Sequence, residues 1–210
     1  FLFSKSYNIL YIILIMALTK TPICDFGKKA ENFELNSTDN KIISLNDIKG
    51  ENGTLIMFIC NHCPYVKHLK KALAIFGREY KAREVAVIGI NPNDAEKFPE
   101  DGPSQMTRDV ETFDYTFPYL VDSTQEVAKA YQAICTPDFY GFDDRLRLAY
   151  RGQFDDSRPG NDKPVTGNDL RSAVNAILDR RPITRSQVSS VGCSIKWKVN
   201  NAPDYSRLKF

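Results

Sequence analysis

Thr54-Leu55-Ile56-Met57-Phe58-Ile59-Cys60-Asn61-His62-Cys63-Pro64-Tyr65-Val66 runs from an apolar stretch into two cysteines and a proline. Thr54 to Ile59 has the pattern of a strand buried on both faces. Pro64 suits the first position of a helix, where its missing N–H would be unpaired anyway. Behind it Val66, Leu69, Leu73, Phe76 and Tyr80 recur at helical spacing, so Pro64 to Tyr80 reads as one amphipathic helix. Val85 to Ile90 is a second buried strand. Strand, helix and strand of this kind form a right-handed crossover with the two strands parallel. Cys63 then stands at or beside the helix N-cap. Unpaired N–H groups and the positive end of the helix dipole favour a thiolate there, and the thiolate is the nucleophilic form. His62, Lys67 and His68 are further groups that could add to this effect.

Working outward, Phe33 to Leu35 and Ile42 to Leu45 read as an opening hairpin around Asp39-Asn40. Asn91 to Pro103 is a polar loop, with a helix expected over Gln105 to Phe113. Tyr119 to Val121 reads as a short strand and Gln125 to Tyr131 as a short helix. Phe139 to Phe142 and Leu146 to Tyr150 form a second hairpin at Asp143-Asp144. Thr166 and Asp169 have capping-box spacing, ahead of a helix with Leu170, Val174, Ile177 and Leu178 on one face. Pro182 to Ser190 is a polar linker. In the tail Cys193, Ile195, Trp197 and Val199 alternate with Ser194, Lys196 and Lys198, which predicts a strand packed on the body with Cys193 inward. The class is α/β. The chain divides into an upstream segment 1–23, a main domain 24–181 and a tail 182–210.

The 210 residues are 42% apolar and 26% charged, enough for one core, with a net charge of +2. No Lys/Arg block points to nucleic acid or acidic lipid as a partner. Five cysteines (Cys24, Cys60, Cys63, Cys135 and Cys193) at irregular spacing do not make a disulfide scaffold. Cys24 reads as a small apolar residue; Cys60 reads equally as that or as a second thiol. A structural zinc site needs four ligands, and Cys60, Cys63 and one histidine have no second pair, so no metal is expected. Covalent haem would need His after Cys63, where Pro64 stands, and no cofactor is expected. Ile9 to Leu18 is apolar but too short to span a bilayer. It reads either as translation that begins at Met16, leaving residues 1–15 non-native, or as a signal-like segment with a poor cleavage site at Ala17-Leu18-Thr19-Lys20.

More blocks extend the pattern: Gly27-x-x-Ala30-x-x-Phe33-x-Leu35, Asn91-x-Asn93-Asp94, Cys135-Thr136-Pro137-Asp138-Phe139, Tyr150 through Pro159, and Gly192 through Trp197. Together they resemble the thioredoxin superfamily, and more closely its peroxiredoxin-like branch of alkyl hydroperoxide reductase/thiol-specific antioxidant (redoxin) proteins. The resemblance implies a thioredoxin fold: a central mixed β-sheet flanked by helices, with an N-terminal β-hairpin and a C-terminal tail. It makes Cys63 the attacking cysteine, with Phe58 five residues before it and Val66 where a thioredoxin has its second cysteine. Ile56 and Cys60 stand where a peroxiredoxin has Pro and Thr, so the hydroxyl that orients a peroxide is missing. Thr136-Pro137 matches the cis-proline turn beside the active cysteine. The resemblance thus implies a thiol oxidoreductase acting on a hydroperoxide or a disulfide. Cys63 attacks; Cys60 or Cys135 resolves, with Cys193 behind them. His62, Pro64, Thr136, Pro137 and Arg158 position substrate. A small protein or a low-molecular-weight thiol is the reductant, and a homodimer is possible. Cytoplasmic location follows from a start at Met16, periplasmic location from a genuine signal over 1–19. The alternative function is a non-catalytic redox-sensing or binding module.

Overall fold

The structure, a computed structural model, describes residues 18–20, 25–183 and 186–207. Cys24, most of the upstream segment and the readings made on residues 1–15 lie outside them. Strand β4 (Gly53–Phe58) is buried along its whole length, as an unbroken apolar run requires. Its side chains alternate between two cores. Leu55 and Met57 pack with Leu69, Leu73 and Phe76 from helix α2 (Pro64–Lys81). Ile56 and Phe58 pack on the other face with Tyr140 and Phe142. Parallel to β4 runs β5 (Val85–Asn91), in register from Gly53↔Val85 to Phe58↔Ile90. The crossover read from sequence is therefore present.

Around this pair a seven-stranded mixed sheet assembles in the order β3-β2-β6-β5-β4-β8-β9. The opening hairpin supplies β2 (Glu34–Ser37) and β3 (Ile42–Ser44), with Asn40 at a positive φ in the turn, followed by a one-turn helix α1 (Leu45–Ile48). β6 (Tyr119–Val121) lies parallel to β5. β8 (Asp138–Phe142) and β9 (Leu148–Gly152) close the other edge as an antiparallel hairpin. Helices α3 (Pro103–Phe113), α4 (Glu126–Ala130) and α5 (Asn168–Leu178) complete the layers. No helix among the described residues is long and apolar enough to cross a membrane.

A second, three-stranded sheet holds the tail in the order β1-β10-β7, with β1 (Leu18–Lys20), β7 (Cys135–Thr136) and β10 (Val191–Ser194). β10 pairs antiparallel with β7, placing Cys193 opposite Thr136 and Ser194 opposite Cys135. Leu18–Lys20, read as part of the upstream segment, pairs on the other side of β10.

Two local expectations are corrected. The capping box does not form. Gly167, at φ 68°, takes the N-cap of α5, and Asp155 accepts the N–H groups of Thr166 and Gly167. A Cβ at Gly167 would come within 2.6 Å of the Phe154 ring. The tail alternation also stops early. β10 ends at Ser194, and Val199 is 84% exposed. Beyond Ser194 the backbone bonds are scattered over separate loops: Ile195 N–H donates to the Ile134 carbonyl, Lys196 N–H to Asn93 Oδ1 and Lys198 N–H to Gln125 Oε1. The loop after β5 is polar but not superficial, since Asn91, Asn93, Asp94 and Asp101 are all buried.

Candidate active site

The carboxyl ends of the neighbouring parallel strands β4 and β5 bring two loops together, the place where open α/β sheets carry their sites. Cys63 is the N-cap of α2, with extended backbone (φ −60°, ψ 125°) and Pro64 opening the helix. Its side chain is fully buried. The cis Thr136–Pro137 bond lies against it. Cys63 Sγ is 3.2 Å from the Thr136 carbonyl oxygen, and the Thr136 hydroxyl is 3.1 Å from Cys60 Sγ.

The nearest sulfur to Cys63 comes from the tail. Cys193 Sγ is 2.7 Å from Cys63 Sγ, while all four described cysteines remain free thiols. That is inside van der Waals contact and outside the ~2.05 Å of an S–S bond. Burial alone would raise the Cys63 thiol. Hydrogen bonds from Cys193, Cys60 and the Val66 and Cys193 backbone outweigh it and bring the pKa down to about 3. The hydrogen bond to Cys63, then burial, push the Cys193 thiol up. The opposite shifts of the two thiols favour Cys63, at the helix N-terminus, over Cys193 as the sulfur that ionises first. Burial also pushes up Cys60 and Cys135. Cys135 Sγ faces the Pro137 carbonyl oxygen at 3.7 Å. Sequence ranks Cys60 and Cys135 ahead of Cys193 as the partner of Cys63; the sulfur placed in direct contact with Cys63 is that of Cys193.

Asp101 organises the loop before Cys63, and sequence reasoning gave it no role. Its Oδ1 accepts the N–H groups of Asn61 (2.8 Å) and His62 (3.1 Å). Its Oδ2 takes His62 Nδ1 and Asn93 Nδ2, the latter at 2.8 Å. Burial would raise this carboxyl, but the hydrogen bonds from His62, Asn93 and Asn61 hold it below the ordinary value. Asn93 also accepts Lys196 N–H, so one amide ties the tail to the loop that carries Cys63. The available signal was position: Asn91-x-Asn93-Asp94 follows β5 directly, beside the end of β4.

The remaining residues read from sequence take other places. The His62 ring stacks on Phe98 at 5.5 Å. His68 Nε2 bonds Ser157 Oγ at 2.7 Å, and Lys67 is exposed. Arg158 lines a cleft with Tyr65, Pro137 and Val191. Cys60, His62 and Asp101 bring possible ligand atoms within 4.8 Å of one another, the group among the described residues that could hold a metal ion. The Asp101 oxygens there are already committed to four nitrogen partners.

Residues 26–154 match the AhpC/TSA family profile. A crystal structure of an uncharacterised conserved protein from Geobacillus kaustophilus is 49% identical, with a TM-score of 0.85, over 87% of this chain and 97% of that one. The thioredoxin-like protein YneN of Bacillus subtilis is 29% identical over 57% of this chain. The thiol-disulfide oxidoreductase ResA of Halalkalibacterium halodurans is 28% identical over 50% of this chain. The aligned regions span 66% and 55% of those two curated relatives. Solved thiol-disulfide oxidoreductases of much lower identity share the fold, which is thioredoxin-like.

Proposed function

Since the chain belongs to the AhpC/TSA family and has a thioredoxin-like fold, we propose that it is a thiol-disulfide oxidoreductase whose working pair is Cys63 and Cys193. The observation that carries this is the 2.7 Å contact between a helix-capping sulfur and a tail sulfur. The Cys63 thiolate attacks one sulfur of a substrate disulfide. A mixed disulfide forms and the other substrate sulfur leaves as a thiolate, which takes the proton of Cys193. Cys193 then attacks Cys63 Sγ, releasing the second substrate sulfur as a thiolate that takes its proton from solvent, and leaving the Cys63–Cys193 disulfide. The substrate is reduced by two electrons, and the pair is oxidised by two.

The same pair can serve a hydroperoxide. Cys63 takes the terminal oxygen as a sulfenic acid while an alcohol leaves, and Cys193 condenses with it, releasing water. The full burial of Cys63 favours small oxidants. Ile56 and Cys60, in place of the Pro and Thr of a peroxiredoxin, favour disulfide exchange as the faster reaction. A low-molecular-weight or small protein thiol resets the pair. Cys60 and Cys135 stay reduced through the cycle, and Thr136 and Pro137 shape the site.

Cys63→Ser and Cys193→Ser variants, assayed with a disulfide and with hydrogen peroxide, test this. Cys63→Ser loses about 100-fold or more of turnover with both. Cys193→Ser keeps the first attack and accumulates the mixed disulfide. Turnover equal to the parent in Cys63→Ser contradicts the proposal.

A further inference from the structure

The cleft beside the sulfur pair holds a cation, Arg158, that makes no ion pair with a carboxylate among the described residues. It is a shallow, half-open cleft of about 260 Å³ with open solvent included, floored by Leu69, Pro137, Phe154 and Val191, with Tyr65 and Arg158 also lining it. Pro137 follows Thr136, whose carbonyl touches Cys63 Sγ. Val191 lies two residues before Cys193 on β10, on the same strand face. Pro137 and Val191 thus place the cleft beside the segments that carry the two cysteines, which lie beneath its lining. Burial raises the Tyr65 phenol, the nearby sulfur pair raises it further, and Arg158 opposes them.

Arg158 is half-buried, and its guanidinium is anchored by neutral oxygens. Nη1 donates to the carbonyls of Asp155 (2.6 Å) and Ser157 (2.7 Å), and Nη2 donates to Gln153 Oε1. A guanidinium has five N–H donors, so these bonds fix the group and leave capacity. No carboxylate among the described residues forms an ion pair with it. Asp156 pairs with Lys163 instead, and the Asp155 carboxylate accepts N–H groups of Ser157, Thr166 and Gly167. Asp156 feels the Arg158 charge without bonding to it, and a fixed cation with free donors over an apolar floor suits a small ligand with an apolar stem and an anionic end.

We propose that this cleft binds low-molecular-weight thiols that carry a carboxylate, with Arg158 holding the carboxylate, and that they reduce the Cys63–Cys193 disulfide from there. This rests on the redox pair proposed above. The ligand thiolate attacks Cys193 Sγ and the S–S bond breaks. Cys63 leaves as thiolate, because the lower-pKa sulfur is the better leaving group. A second ligand thiolate attacks the ligand sulfur of the mixed disulfide. Cys193 leaves and takes a proton. Two thiols become one disulfide, and the protein disulfide becomes a dithiol.

The test uses full-length oxidised protein whose Cys63–Cys193 link has been verified by peptide mass. Its reduction rate is measured per thiolate with 3-mercaptopropionate (anionic) and cysteamine (cationic). The anionic-to-cationic rate ratio exceeds one in the parent and falls about fivefold in Arg158→Gln. Arg158→Lys recovers part of it, and Lys71→Gln, the same charge change on the exposed face of α2, leaves it in place. Added salt lowers the parent ratio, which keeps the test decisive should Arg158→Gln misfold. A ratio unmoved by Arg158→Gln, or insensitive to salt in the parent, overturns the assignment. Failure of the Cys63–Cys193 link to form contradicts the redox pair itself, and is seen before any thiol is added.

Discussion

At Cys63 several donors converge on one buried sulfur, and the charge it holds is set by them. Hydrogen bonds from Cys193 and Cys60 and the N–H groups of the first helical turn outweigh the cost of burial. A hydrogen bond to a charged group is worth about 1.5–3 kcal/mol, or roughly one to two pKa units. Removing a donor to the thiolate favours the neutral thiol. Cys193→Ala therefore raises the Cys63 midpoint by about one unit or more, read from thiolate ultraviolet absorbance against pH. An unchanged midpoint would remove Cys193 from the account. Asp101 makes a second pH prediction. Its folded pKa lies below 3.8, so its stabilisation is complete above that value and is lost as pH falls through the lower folded value. Asp101→Asn costs about 2 kcal/mol by urea denaturation near neutral pH, and the difference from the parent narrows as pH falls below 3.8 and through the lower folded value. An equal cost at neutral and at low pH would show that the charge is immaterial. Cys63 was legible because Pro64 announces a helix start in the same tripeptide. Asp101 was not, because its partners Asn61 and His62 lie on another strand's loop and no local spacing links them.

At the level of elements, β10 decides which sulfurs meet. Gly192 lets it approach the cis-proline turn: a Cβ there would stand 2.1 Å from the Thr136 carbonyl oxygen. Gly192→Ala must push the strand away from Thr136. It is expected to slow diamide-driven Cys63–Cys193 bond formation about tenfold or more while the seven-stranded sheet survives. Formation at the parental rate would show that the strand has slack. The βαβ unit was readable from sequence because its apolar runs are continuous and its helix stripe is complete. The tail was half readable. Alternation placed Cys193 inward correctly but ran past Ser194, because acceptors on separate loops, at Ile134, Asn93 and Gln125, replace the ladder there. Pairing of β10 with β7 joins distant parts of the chain, so the partner of Cys63 could not be ranked from spacing.

For the whole molecule, a Cys63–Cys193 bond would close a loop across 130 positions. Loop-closure entropy then contributes about 5 kcal/mol against the unfolded chain. The oxidised protein should melt roughly 10 °C or more above the reduced form by calorimetry, a difference that Cys193→Ser abolishes. Equal melting would mean that the bond strains the fold as much as it restrains the unfolded chain. The most direct measurement is peptide mass mapping after one equivalent of diamide or hydrogen peroxide, with unreacted thiols blocked. The account predicts a single linkage joining the Cys63 and Cys193 peptides, with Cys60 and Cys135 recovered as blocked thiols. A Cys60–Cys63 or Cys63–Cys135 linkage in its place would contradict it.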